Sequence, residues 1–135
     1  MKYEMKIEPR FLYARLSGGF SLKEAKSAFL VLMDTIAENR CGNVLVDGRE
    51  VTGNIRLLER FLYGEFVANT VHKYMKNGLD CNPRFAYVLE PPILDPQKFG
   101  ETVAKNRGMK VKAFDRLRDA IEYIEAMPQG DPPRS

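Results

Sequence analysis

Tryptophan is absent from the 135 residues, histidine occurs once and cysteine twice. With no tryptophan, and no block of lysine and arginine interleaved with aromatics, the chain lacks a stacking platform for bases, so nucleic-acid binding is not expected. The one histidine, His72, cannot hold a metal by itself. Its neighbours a turn away, Ala68 and Lys76, are not ligands, and the expectation is no metal and no cofactor. Cys41 and Cys81 lack the CxxC spacing of zinc or redox sites and are read as two reduced thiols. Neither sign of charge dominates, since 21 Lys and Arg face 18 Asp and Glu for a net +3, mixed along the chain. No apolar run is long enough to cross a bilayer. The opening MKYEMKIEPR alternates charged and apolar residues where a signal peptide needs a continuous apolar block. A cytoplasmic protein without membrane insertion is expected.

What is present is an ordinary globular composition, 44% hydrophobic and 29% charged, at a length suited to one core. Tyr3, Met5 and Ile7 alternate with charged residues, and Phe11, Tyr13 and Leu16 follow the Pro9-Arg10 break, which reads as a hairpin. Ser21-Leu22-Lys23-Glu24 has capping-box spacing, and Leu22, Ala25, Phe29, Leu32 and Ile36 form one helical stripe that Gly42 closes. Val44, Leu45 and Val46 form the short apolar run of a central strand, ending at Asp47. A longer helix is expected from about Ile55 to Met75. RFAYVL (84–89) reads as a strand, Asp95-Pro96 as the start of a third helix, Lys110 to Phe114 as a strand, and Asp115 as the cap of a last helix. The fold class is therefore α/β, in the order β-β-α-β-α-β-α-β-α. A mainly parallel five-stranded sheet takes one antiparallel strand from the N-terminal hairpin. Residues 1–126 are expected to form a single domain and residues 127–135 a disordered tail.

This order, the strand VLVD ending in Asp47 and the segment FGETVAKNRGMKVKAF resemble STAS domains, the fold of anti-sigma-factor antagonists. The chain looks most similar to small stand-alone bacterial SpoIIAA-like proteins of unassigned function. The resemblance implies a regulatory, protein-binding role. It also implies a phosphorylatable serine in the loop after the central strand, but the loop here, GREVTGNIR, has no serine. Its only hydroxyl, Thr52, lies too early, so the serine switch is not expected.

Two surfaces stand out. The first is the strand-end loop, with Asp47, Arg49, Glu50, Thr52 and Asn54, joined by Glu90 from the next strand end, the side on which open α/β sheets gather ligands. Asp47 and Glu90 could form an acid/base pair. Alternatively Asp47 closes the Gly48 turn by bonding its amides, the reading favoured because no nucleophile or histidine is near in sequence. The second surface is the second helix, where Leu57, Phe61, Tyr63, Phe66 and Tyr74 occupy more faces than one sheet can cover. Gly64 interrupts that helix, and a helix of the same chain, a second copy or an apolar ligand could approach it there. These features favour a non-catalytic module acting on a protein partner, with a homodimer expected from the helix surface. The alternatives are a carrier or sensor of a small apolar, lipid-like ligand held between the second helix and the sheet, and an acid/base enzyme using Asp47, Glu50 and Glu90.

Overall fold

The computed structural model describes residues 1–125; the expected tail, and residue 126 at the expected domain end, lie outside them. Strand β1 (Lys2–Ile7) turns into β2 (Leu12–Gly19), with the Glu8 amide donating to the Phe11 carbonyl at 2.9 Å. There follow α1 (Leu22–Asn39), β3 (Asn43–Thr52), α2 (Leu57–Lys76), β4 (Arg84–Val88), α3 (Phe99–Asn106), β5 (Lys110–Phe114) and α4 (Leu117–Glu125), the order that the periodicities give. β1 is antiparallel to β2, every other pair is parallel, and the strands lie side by side in chain order. Among the described residues no helix is long and apolar enough to cross a membrane.

The strand order decides where the helices go. Parallel crossovers are right-handed, and crossovers that always step the same way across a sheet put their helices on the same face. Phe29 and Met33 of α1, Val67 and Val71 of α2 and Ala104 of α3 accordingly share one core with Val44, Val46 and Phe85 of the sheet. On the opposite face Ala120 and Ile124 of α4 pack against Leu45, Ala86 and Val88. The helix α4 lies on β3, β4 and β5. The β1–β2 end of that face is polar, with exposed Lys2, Glu4 and Lys6 in register with Ser17, Arg15 and Tyr13.

Several boundaries differ from the sequence reading, each for a local reason. β3 does not stop at Asp47 but runs on to Thr52, because β2 continues alongside it after β4 has ended at Val88. Its register slips between Arg15 and Ser17, so that Gly48 and Arg49 together oppose Leu16 in a bulge. The α1 stripe ends at Asn39, and Arg40 rather than a glycine takes the left-handed position, with φ 54°. Ser21 caps α1 by accepting from the Glu24 amide at 3.2 Å, but the Glu24 carboxylate leaves the box to bind the Met1 ammonium. Asp95 closes a turn instead of opening a helix. Its carboxylate accepts from the amides of Gln97 at 3.1 Å and Phe99 at 2.9 Å, and α3 starts only at Phe99. Cys41 and Cys81 are both free and partly buried, and burial pushes both thiols up.

Gly64 sits where α3 crosses α2. A methyl group there would lie 2.7 Å from the Gly100 carbonyl oxygen and 3.2 Å from Val103 Cβ, whereas one on Gly100 would meet Arg60 at an ordinary 3.4 Å. Gly64→Ala gains about 1 kcal/mol of helix propensity and loses more by forcing backbone apart, typically 1–3 kcal/mol for overpacking. Urea unfolding is expected to show Gly64→Ala destabilised and Gly100→Ala close to wild type. Equal stability of the two variants would contradict the close approach.

Candidate functional site

Asp47 is the most buried charged side chain among the described residues, 1% exposed in the middle of β3. The bulge lets the following residues turn back on it. The Arg49 guanidinium grips the carboxylate with two bonds, Nε to Oδ1 at 2.9 Å and NH2 to Oδ2 at 2.8 Å, and the Arg49 amide adds a third at 3.2 Å. From β2 the Tyr13 hydroxyl donates to Oδ2 at 2.6 Å. Burial by itself pushes the carboxyl up, but the bonds from Arg49 and Tyr13 outweigh it and hold Asp47 below its ordinary range. The same cluster raises the Tyr13 hydroxyl, mainly through burial and then through Asp47. A Cβ on Gly48 would lie 2.6 Å from Leu89 Cδ2, the mobile end of a half-buried side chain that can turn aside.

Asp47 is thus a tie between β2 and the bulge, and it is too deep to touch a partner or to serve in an exposed loop. Outside it, Arg15 bonds Glu4 at 3.0 Å and reaches Glu50 at 3.7 Å, an exposed chain of charges of small energetic weight. Thr52 ends β3, its carbonyl accepting from the Phe20 amide at 2.8 Å, and Asn54 is exposed in the loop beyond it. Glu90 is exposed on the chain leaving β4, where its carbonyl accepts from Leu94 at 2.9 Å. The six expected loop residues therefore separate into a buried knot, a charged strand face and two exposed connections.

The second-helix surface is also redistributed, because α2 lies between α1 and α3. Toward α3, Phe61 stacks near Phe99 at 6.4 Å under the Arg107 guanidinium, which bonds Glu65 at 3.3 Å. His72 Nε2 donates to the Arg107 carbonyl on the same flank. Toward α1, Phe66 meets Phe29 edge-on at 6.5 Å, and the Tyr74 hydroxyl donates to Asp34 at 2.6 Å. Tyr63 faces the sheet, its hydroxyl 2.9 Å from that of Tyr87. Of the expected surface Leu57 is the most open, 64% exposed beside Leu58 at 66%, while Phe61, Tyr63, Phe66 and Tyr74 are half-buried.

Between α2, α3 and the carboxyl ends of the strands lies an apolar cavity of about 120 Å³, walled by Phe20, Ile55, Tyr63, Tyr87, Val111 and Ala113. The charged side chains on its wall are all tied inward. Glu59 accepts from the Arg56 amide at 2.9 Å. Arg60 donates to the carbonyls of Ile93 at 2.8 Å and Pro92 at 3.1 Å. Glu101 accepts from the Ala113 amide at 2.8 Å and from Lys105 at 2.9 Å. Among the described residues no cluster of three or more His, Cys, Asp or Glu could hold a metal ion.

A carboxyl held below its ordinary 3.8 in the folded chain contributes stability that is present above that value and lost as pH falls through the folded one. Asp47→Asn is expected to cost about 1–3 kcal/mol at pH 7, since it breaks a bidentate pair. Between pH 5 and pH 2 its urea midpoint should fall less steeply than that of wild type. Parallel acid limbs would remove Asp47 from the electrostatics of folding.

No protein-family model matches the chain, and no curated protein matches it. Solved structures do. The crystal structure of an anti-sigma factor antagonist from Mycobacterium paratuberculosis superposes with a TM-score of 0.54 at 11% identity, over 92% of this chain and 93% of that one. An uncharacterized protein with a SpoIIAA-like fold from Shewanella loihica superposes at 0.50 and 16% identity, over 91% and 92%. Likeness at these identities speaks for architecture, and it agrees with the strand order and helix placement above. The chain has the SpoIIAA-like fold of STAS domains.

Proposed function

We propose that the protein is a non-catalytic regulatory module that docks a protein partner on the loop after β3 and the first turn of α2. The observation that carries this reading is the adjacent pair Leu57 and Leu58, 64% and 66% exposed at the point where α2 begins. Two neighbouring leucines left in water at a helix start are costly unless something covers them. The antagonist from Mycobacterium paratuberculosis supports a regulatory setting for the fold. The segment from Gly53 to Leu58 carries no hydroxyl, so docking here is proposed to work without a serine switch. Acid/base chemistry is disfavoured, because Asp47 is ionised and fully bonded and Glu50 faces Arg15. The basis for a homodimer narrows mainly to the same leucine pair, since Phe61, Phe66 and Tyr74 are half-buried against α3 and α1. A second reading, a carrier or sensor of a small apolar ligand, is favoured by the cavity between α2 and the sheet.

A photo-crosslinking residue at position 57, used in the source cells, should trap one partner identified by mass spectrometry. Leu57→Asp/Leu58→Asp should abolish the isolated complex while leaving the unfolding midpoint within about 0.5 kcal/mol of wild type. A complex that survives both substitutions would refute docking at this patch. A dimer dissolved by them would assign the patch to a second copy.

A further inference from the structure

We propose that the cavity between α2, α3 and the strand ends binds a small, neutral, mostly apolar molecule that carries one hydrogen-bond acceptor. The proposal rests on the ligand-binding reading and not on the docking patch at Leu57 and Leu58. Size comes first. At about 120 Å³ the space is close to the engineered apolar cavity of roughly 150 Å³ that takes up benzene. A single six-membered ring or a branched chain of similar bulk fits, and a long acyl chain does not.

Charge comes second. Glu59, Arg60 and Glu101 line the space, yet each is already held by backbone groups or a neighbouring charge. An anion would meet Arg60, whose guanidinium already donates to two carbonyls, between the carboxylates of Glu59 and Glu101, and a cation would meet carboxylates already bonded to Arg56 and Lys105, so either ion would lose its hydration for little return on an apolar wall.

The polar handle is the tyrosine pair. Tyr63 and Tyr87 meet edge to face at 6.4 Å with hydroxyls 2.9 Å apart, and Tyr87 is only 8% exposed. Burial pushes Tyr63 up to about 12 and Tyr87 well above the ordinary value, so both keep their protons near neutral pH. Two O–H groups that share one bond leave one hydrogen over. A carbonyl, ether or hydroxyl oxygen on the ligand would accept it, and a donor left unmade in an apolar wall is costly. Phe20 and Ile55, half-buried on the loops after β2 and β3, form the rim by which a ring would enter.

The test uses the purified full chain and three probes of matched bulk: cyclohexanone, cyclohexane and cyclohexanecarboxylate. Cyclohexanone is expected to shift the Val111 and Ala113 methyl resonances saturably and to raise the melting temperature. Cyclohexane should bind about fivefold to tenfold more weakly for want of the acceptor, and the carboxylate should shift nothing. Ala113→Leu, or Ala104→Val should the first variant not fold, fills the space and should abolish the response. Tyr63→Phe/Tyr87→Phe removes both hydroxyls, leaves no orphaned partner and should erase the preference for the ketone. Leu57→Asp/Leu58→Asp should bind cyclohexanone as wild type does, so failure of the docking patch and failure of the cavity are separate results. Absence of any saturable shift, or a shift undiminished in the filled variants, would overturn the proposal. A ketone preference that persists without the hydroxyls would overturn its polar part.

Discussion

Right-handedness of the crossover connections is the constraint on which the rest of this structure depends. Because strands β2 to β5 are laid down in chain order, every crossover steps the same way, and three helices must share one side of a narrow sheet. Crowding follows. The helix α2 is held between two neighbours, its aromatic residues are taken up by both, and its backbone needs a glycine where α3 crosses. The cavity lies in that same crowded layer, near the strand ends, where the three surfaces meet.

Local pattern was a good guide wherever one residue type repeats against one surface. The stripe from Leu22 to Ile36 declares a helix because it meets one surface, and the unbroken apolar run Val44 to Val46 declares a strand buried on both faces. It failed where a neighbour comes from afar. Nothing in FLYGEFVANTVHKY says that Phe66 and Tyr74 will meet α1 while Phe61 meets α3, so residues taken up by two different internal neighbours look like a surplus. The length of β3 was hidden for a related reason: its second half is supported from β2 alone, and an exposed Arg49 and Glu50 read as loop residues. Asp95 shows another limit, since an acid before proline serves a turn as readily as a helix start.

Asp47 and the cavity illustrate two uses of burial. A carboxylate placed in a sheet interior survives because four bonds replace its water, and the outcome is rigidity at the bulge. The tyrosine hydroxyls, by contrast, satisfy each other only halfway. The first arrangement is closed to a visitor, and the second is where the proposed ligand would bond. Sequence reasoning pointed to the acid because its setting beside glycine is conspicuous; the tyrosines are far apart in the chain and only the fold unites them.

The sheet has two free margins, and both are guarded. The outer strand at one end carries Lys2, Glu4 and Lys6 exposed, and the strand at the other end carries Lys110 and Lys112 exposed. Another sheet that tried to add itself to either margin would have to strip water from these side chains. Self-assembly by strand addition is thereby discouraged at high concentration.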